Sequence, residues 1–421
     1  MGSSAGRKKL KKGQPPPATT TPSIPAQETF GHELANWMFP GYLAAMLLGM
    51  LLIRQFGMPL GKSNGVRALF IAVNSGTLTG FADSPGVGGL NGFGQVIVLL
   101  LIVCGSLFNM IIGALAVKRI TRMRFTDGQI ITAAVVVQGL AMLVGAALLQ
   151  SPVRPPFDAA FLASSAFGNC GLYPSELPAD TDVLVHVVIL PLSILGGLGL
   201  PVLMEIVSRA LFRQPLSSHS RAVLGVSAWL YVSGFLALLG LGLAGQQITN
   251  GSMASVIRQS SVLAVESRTG GLEISPARLV SEPARWVIIA LMMIGASSAG
   301  TGSGLKTTTI AELFRGIHRL LGGQPVGRPL GIALAWLGSY IGMLLGALIL
   351  LSHVNPTLST DHVLFNAVSG LSNVGFSLSD LPDQTNAMFA YCAIMLLGRM
   401  VPLMFLWWMA ETTSDADWAI G

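Results

Sequence analysis

Four short stretches in this chain of 421 residues have a pattern that could do chemistry. They are Thr77-Leu78-Thr79-Gly80-Phe81, Gly168-Asn169-Cys170-Gly171-Leu172, Arg268-Thr269-Gly270-Gly271-Leu272 and Ser372-Asn373-Val374-Gly375-Phe376. Each runs through small or polar residues to a glycine and ends on Phe or Leu. A cation stripped of water needs several oxygens around it. Backbone carbonyls supply them when the chain is extended and oddly turned, which glycine permits because it has no Cβ. Four such loops around one axis would make a ring of carbonyls, the device of cation-selective filters. One copy alone would be a turn or a close helix contact. Four copies at near-equal intervals make an internal repeat.

The elements that must position these loops are membrane helices. Charged residues make up 10% of the chain, hydrophobic residues 52%, and mean hydropathy is +0.65. A soluble protein of this length could not cover its surface with so few charges. Fifty glycines suit close-packed membrane helices. Apolar runs of bilayer-spanning length predict eight spans, near 34–54, 92–117, 128–149, 183–208, 222–245, 284–318, 329–352 and 386–410. Before each glycine motif lies an apolar segment too short to cross: 63–75, 155–167, 251–265 and 359–370. These read as re-entrant half-helices, whose C-terminal, partly negative ends would face a cation. The expected architecture is an all-α polytopic membrane protein. It has four pseudo-repeats of helix, re-entrant half-helix, loop and helix around one pore, at 31–125, 126–215, 216–325 and 326–421.

Basic clusters after the second, fourth and sixth spans (Lys118, Arg119, Arg122 and Arg124; Arg209, Arg213 and Arg221; Lys306, Arg315, Arg319 and Arg328) put those connections, and both termini, on the cytoplasmic side. Residues 1–30, with five basic residues and a Pro/Thr-rich stretch, read as a disordered cytoplasmic tail. The basic residues sit between apolar runs, so they do not point to nucleic acid.

Two further features break the apolar pattern. Residues 295–304 read GASSAGTGSG and interrupt the sixth span. Ten small residues cannot pack as a regular lipid-facing helix, so this backbone is expected to face the pore below the loops. Arg399 lies in an otherwise apolar run, where a charge is costly unless paired or wet. The stretch before Lys306 is not a phosphate-binding loop, because Leu305 stands where glycine is required. The charge-free spans hold no acid/base pair, nucleophile dyad or metal cluster, so an intramembrane enzyme is not supported. The three cysteines are far apart and give neither a disulfide framework nor a metal motif. Arg268 beside Glu266 reads as a brace for the third loop.

On the four glycine loops in order, the interruption of span six and Gly398-Arg399, the chain resembles the superfamily of Trk, Ktr and HKT potassium transporters over residues 34–411. Eight spans look most like the Ktr/TrkH-type membrane subunit. The resemblance implies potassium as the transported ion and no covalent or nucleotide cofactor in this chain. It implies the lipid bilayer as environment, a homodimer, a TrkA/KtrA-like cytosolic nucleotide-binding regulatory ring as partner, and a bacterial cytoplasmic membrane. It also implies that the four loops listed at the outset form the filter. Ala299, Gly300, Thr301, Gly302, Ser303, Gly304 and Lys306 would form an intramembrane gating loop, with Arg399 as a barrier beneath the filter. A serine in place of the first-loop glycine is associated with sodium transport in the family, and here that position is Gly80. A sodium-permeable protein, or a non-conducting sensor on the same scaffold, is the alternative.

Overall fold

The computed structural model describes residues 26–59, 64–82, 86–244, 252–270, 272–325, 327–381 and 384–412. Among them every extended element is helical, and the one β-type pairing is an isolated bridge between Ser151 and Arg154. Residues 1–25 of the expected tail lie outside the described residues. Its last residues differ from expectation, because helix α1 (Ala26–Leu52) already begins at Ala26.

The order of elements repeats four times. In the first unit α1 is followed by the half-helix α2 (Gly65–Gly76) and by α3 (Gly92–Thr121). The second has α4 (Asp127–Leu149), the half-helix α5 (Pro156–Gly168), and α6 (Leu190–Leu198) with α7 (Leu200–Phe212). The third has α8 (Ser218–Ala244), the half-helix α9 (Met253–Thr269), and α10 (Glu282–Met293) with α11 (Thr307–Leu321). The fourth has α12 (Arg328–Val354), the half-helix α13 (Thr360–Leu371) and α14 (Thr385–Thr412). Six segments are unbroken helices long and apolar enough to cross a membrane.

Local sequence sets many of the ends. The Asn64 side chain caps α2 by accepting from the Val66 and Arg67 amides, and Pro156 opens α5. Thr126 and Gln129 form a reciprocal capping box on α4. Each half-helix packs on the first helix of its own unit, and α14 returns to pack on α2 and α3, which closes the ring. The half-helices are buried. The outer helices expose rows of large apolar side chains, such as Leu140, Leu143, Val144 and Leu148 on α4. That distribution belongs to a protein solvated by lipid.

The fourth span departs from the sequence reading, which took 183–208 as one crossing. It breaks at Gly199, and the two halves meet at 103°. Gly199 has φ +85°, a left-handed conformation, and Pro201 follows at the start of α7. The hydrophobic run is continuous, so composition alone did not reveal the bend. The sixth span is interrupted as expected: α10 and α11 are separated by residues 294–306.

A methyl group on Gly199 would stand 2.4 Å from the Ser297 Oγ and 2.8 Å from the Ala299 carbonyl carbon. Gly199→Ala is expected to cost about 1–3 kcal/mol through overpacking and backbone strain. Thermal unfolding in detergent would read this as a lowered midpoint. Gly225→Ala, where nothing lies within 4 Å, should leave the midpoint in place.

Candidate functional site: the four-loop centre

Three of the four half-helices end in one recurring way. Leu78, Asn169 and Asn373 take left-handed conformations with φ of 57°, 54° and 51°. Two residues later Gly80, Gly171 and Gly375 have φ of 87°, 78° and 90°. The backbone hydrogen bonds repeat as well. Leu78, Asn169 and Asn373 donate their amides to Ser75, Ala166 and Gly370, and Thr79, Cys170 and Val374 donate to Asn74, Ser165 and Ser369. The second set is the six-to-one bond of a Schellman-type helix end. Asparagine tolerates the left-handed region; Leu78 is a bulky residue held there by complete burial.

The glycines have no room for a side chain. A Cβ on Gly80 would fall 1.6 Å from the Cys170 carbonyl oxygen, and one on Gly375 would fall 2.2 Å from the Thr79 carbonyl oxygen. Loops one, two and four are therefore in backbone contact. Their glycines open on one cavity of about 430 Å³, to which the third unit contributes Glu273, Pro276 and Arg278. Gly271 and the Thr269 side chain lie outside the described residues. Gly270, by contrast, donates its amide to the Glu266 carbonyl at 2.9 Å, one step short of the bond made in the other three loops.

Buried amides and hydroxyls hold the loops. The Asn74 Oδ1 accepts from the Gly80 and Phe81 amides at 2.8 and 3.0 Å, and its Nδ2 donates to the Phe81 carbonyl at 2.8 Å. Thr77 and Thr79 hydroxyls pair at 2.7 Å. The Asn373 Nδ2 reaches across to the Thr79 Oγ1 at 2.7 Å and to the Met395 carbonyl at 3.0 Å. Tyr42 donates to the Gly76 carbonyl, and Tyr340 pairs with Ser372 at 2.8 Å. Asn74, Tyr42 and Tyr340 were not singled out by sequence. Their signal was a polar atom inside an otherwise apolar segment.

The interrupted sixth span lies against these loops. The Thr301 Oγ1 donates to the Phe167 carbonyl at 3.1 Å and accepts from the Asn169 Nδ2 at 2.6 Å. Ser297 and Thr301 donate their amides to Gly197 and Gly196 at the end of α6, and the Leu200 amide donates to the Ala299 carbonyl. Gly300 donates to Ser297, Gly304 is left-handed with φ +76°, and the Ser303 hydroxyl donates to the Gly398 carbonyl. The Lys306 Nζ donates to the Gly302 carbonyl at 3.1 Å.

Arg399 links the two systems. It is buried, with Nε donating to the Thr77 carbonyl at 2.8 Å and Nη1 to the Thr301 carbonyl at 2.6 Å. Its charge is met by carbonyl dipoles of the first loop and of the sixth-span interruption. Arg268 is not brought into this cluster. It donates to the Ile294 and Gly295 carbonyls and lies over the Tyr231 ring at 4.5 Å, tying the third half-helix to the start of the sixth-span interruption and to α8. Among the described residues no group of three or more His, Cys, Asp or Glu side chains could hold a metal ion.

Six membrane-length helices, two further broken spans, four buried half-helices and a shared loop centre, all among the described residues, define a polytopic helical membrane protein of the four-unit re-entrant class. No protein-family profile matches the chain. It is 27% identical over 410 residues to the potassium/sodium uptake protein NtpJ of Enterococcus hirae, covering 85% of this chain and 88% of that one. It is 26% identical over 419 residues to the Ktr system potassium uptake protein B of Bacillus subtilis, covering 89% and 92%. The crystal structure of the potassium transporter TrkH from Vibrio parahaemolyticus has the same fold, with a TM-score of 0.67 at 16% identity over 88% of this chain and 84% of that one. In sequence the chain is similar to potassium and potassium/sodium uptake proteins, and in fold to TrkH.

Asn74→Ala would leave two amides and a carbonyl of the first loop without partners. The expected loss is about 1–3 kcal/mol for each buried group left unpaired. Hydrogen exchange should rise at Gly80 and Phe81, and unchanged exchange there would remove Asn74 from its supporting role.

Proposed function

We propose that this protein takes up potassium across the bacterial cytoplasmic membrane through the four-loop centre, with both termini in the cytoplasm. The observation that carries this reading is the repeated pair of left-handed residues at 78/80, 169/171 and 373/375, whose glycines open on one cavity. Backbone turned in this way directs successive carbonyls toward a common centre, where they can replace a cation's water. The half-helix ends add their partial negative charge. The printed names of the relatives, uptake proteins for potassium or for potassium and sodium, support a transport function rather than an enzymatic one.

In this reading Thr77 to Gly80, Gly168 to Gly171, Arg268 to Gly271 and Ser372 to Gly375 form the filter. Residues 299–304 with Lys306 close the path beneath it, and Arg399 adds a positive barrier. The hydrogen bonds from Arg399 to Thr77 and Thr301 support a closed arrangement. The driving force is the membrane potential, about 2.3 kcal/mol per unit charge per 100 mV. A homodimer and a cytosolic nucleotide-binding ring belong to the same proposal, as the B. subtilis relative is named as part of a Ktr system.

The test is rescue of a potassium-uptake-deficient bacterium on low-potassium medium, with and without a cytosolic partner, followed by ion flux in proteoliposomes. Uptake of neither potassium nor sodium would overturn the proposal. Because the E. hirae relative's name includes sodium, both ions are measured.

Gly80→Ser is expected to lower the potassium-to-sodium flux ratio, because its Cβ pushes against the Cys170 carbonyl. An unchanged ratio would remove Gly80 from the filter. Deletion of residues 299–304 is expected to raise flux severalfold, and flux equal to that of the intact chain would show that this loop is no barrier.

A further inference from the structure

The span that breaks at Gly199 turns one helix away from the crossing direction. α6 packs against the half-helices α5 and α9 and carries the crossing, and α7 leaves it at 103°. α7 therefore runs close to the membrane plane. Its sides differ in character. Ile206, Val207, Ala210 and Leu211 are exposed and spaced as one apolar face. Glu205, Ser208 and Phe212 line a cavity shared with the connection between α3 and α4. Arg209 and Arg213, one turn apart, are exposed between the two sides. An apolar face edged by arginines suits a helix lying in a headgroup layer.

The cavity measures about 470 Å³, and Arg122 and Arg124 of the connection also line it. Among the described residues Arg122, Arg209 and Arg213 have no ion pair or side-chain hydrogen bond, and Arg124 reaches the Gln214 Oε1 at 3.4 Å. Glu205, the acid that lines the cavity, is already engaged, because its Oε2 accepts from the Ser217 amide and hydroxyl, both at 2.9 Å. Asp127, at the start of α4, is paired with Lys118. Arg122 and Arg213 stand at the ends of α3 and α7, the same place in units one and two, and both are left-handed, with φ of 51° and 54°. Glycine or asparagine is the usual residue there. Four arginines without a carboxylate partner, beside a cavity and an exposed apolar face, match an anion attached to an apolar body.

We propose that the cavity between α7 and the 121–125 connection binds the phosphate headgroup of an anionic phospholipid. The phosphate meets Arg122 and Arg124, whose planar guanidinium groups match its oxygens. Arg209 and Arg213 flank it on α7, and the acyl chains follow the apolar face beyond them. The start of α7 carries the effect of binding to residues 295–304. There the Leu200 amide donates to the Ala299 carbonyl, and Gly199 rests against Ser297 and Ala299. A ligand that holds α7 in place favours the arrangement in which 299–304 block the path, so the lipid lowers flux. The effect on flux rests on the conduction reading above; the binding does not.

The experiment uses the full chain in detergent with added phosphatidylglycerol, and native mass spectrometry reads the lipid retained. An arginine at an anionic lipid surface strengthens binding about fivefold, so Arg122→Gln with Arg124→Gln should weaken retention at least about tenfold. Arg319→Gln with Arg328→Gln, the same change of charge elsewhere, should leave retention close to wild type. Equal retention by the first double variant and wild type overturns the proposal and leaves the arginines to a protein partner. Equal losses in the two double variants mean general charge attraction and overturn it as well. Excess glycerol phosphate, which has the phosphate but no chains, should not displace the lipid; displacement would make this a site for free phosphate. In proteoliposomes containing phosphatidylglycerol, wild-type potassium flux should lie severalfold below that of the Arg122/Arg124 variant. Comparison within the same vesicles cancels the effect of surface charge on local potassium. Equal fluxes overturn the link to residues 299–304. If no ion moves through any variant, the conduction reading fails, and mass spectrometry alone decides the lipid site.

Discussion

Irregular backbone at membrane depth must find its hydrogen bonds inside the protein, because lipid offers none. Among the described residues the glycine loops, residues 294–306 and the break at Gly199 are irregular in this way. Everything else is arranged to enclose them. The outer helices α1, α4, α8 and α12 turn apolar side chains outward, while the buried half-helices and the inner parts of α3 and α14 surround the loops. The polar side chains buried in this centre serve the same end. Asn74 closes the first loop on itself, Asn373 ties the fourth to the first, and Asn169 ties the second to Thr301.

The consequence is mechanical coupling. Thr301 bonds to Phe167 and Asn169 of the second unit and, through Arg399 of the fourth, is joined to Thr77 of the first. The segment proposed as gate is thus tied to the second loop directly and to the first through Arg399 on α14. Movement of residues 299–304 would break the bonds of Thr301 to the Phe167 carbonyl and to the Arg399 Nη1. That cost is the physical content of a closed state. The fourfold pattern is also incomplete: the third unit substitutes Glu266 for a small residue and Arg268 for a small or polar one, and its loop is held differently from the others.

Much of this was legible in order along the chain. The run lengths of apolar residues gave the spans, and the four segments too short to cross gave the half-helices. The glycine motifs marked where the half-helices end, because a left-handed turn favours glycine and asparagine. The Gly/Ser run marked the interruption in span six. Gly199 escaped notice, since its surroundings are as apolar as those of an unbroken span, and the 103° bend depends on Ser297 and the Ala299 backbone packing against it. Tyr42, Asn74 and Tyr340 escaped for a similar reason: a single polar residue in an apolar run does not state its partner.

The sequence by itself determined the class of protein, the number of repeats and the positions where the chain must turn, because each follows from local composition and from the rise of a helix across a fixed bilayer thickness. Only the tertiary structure decided what each charge meets. Arg399 and Arg268 look alike as lone cations in apolar surroundings, yet one joins the first loop to Thr301 within the sixth-span interruption and the other ties the third half-helix to Ile294 and Gly295 at its start. Glu266 looked like the partner of Arg268, two residues away, but successive helical residues face different directions.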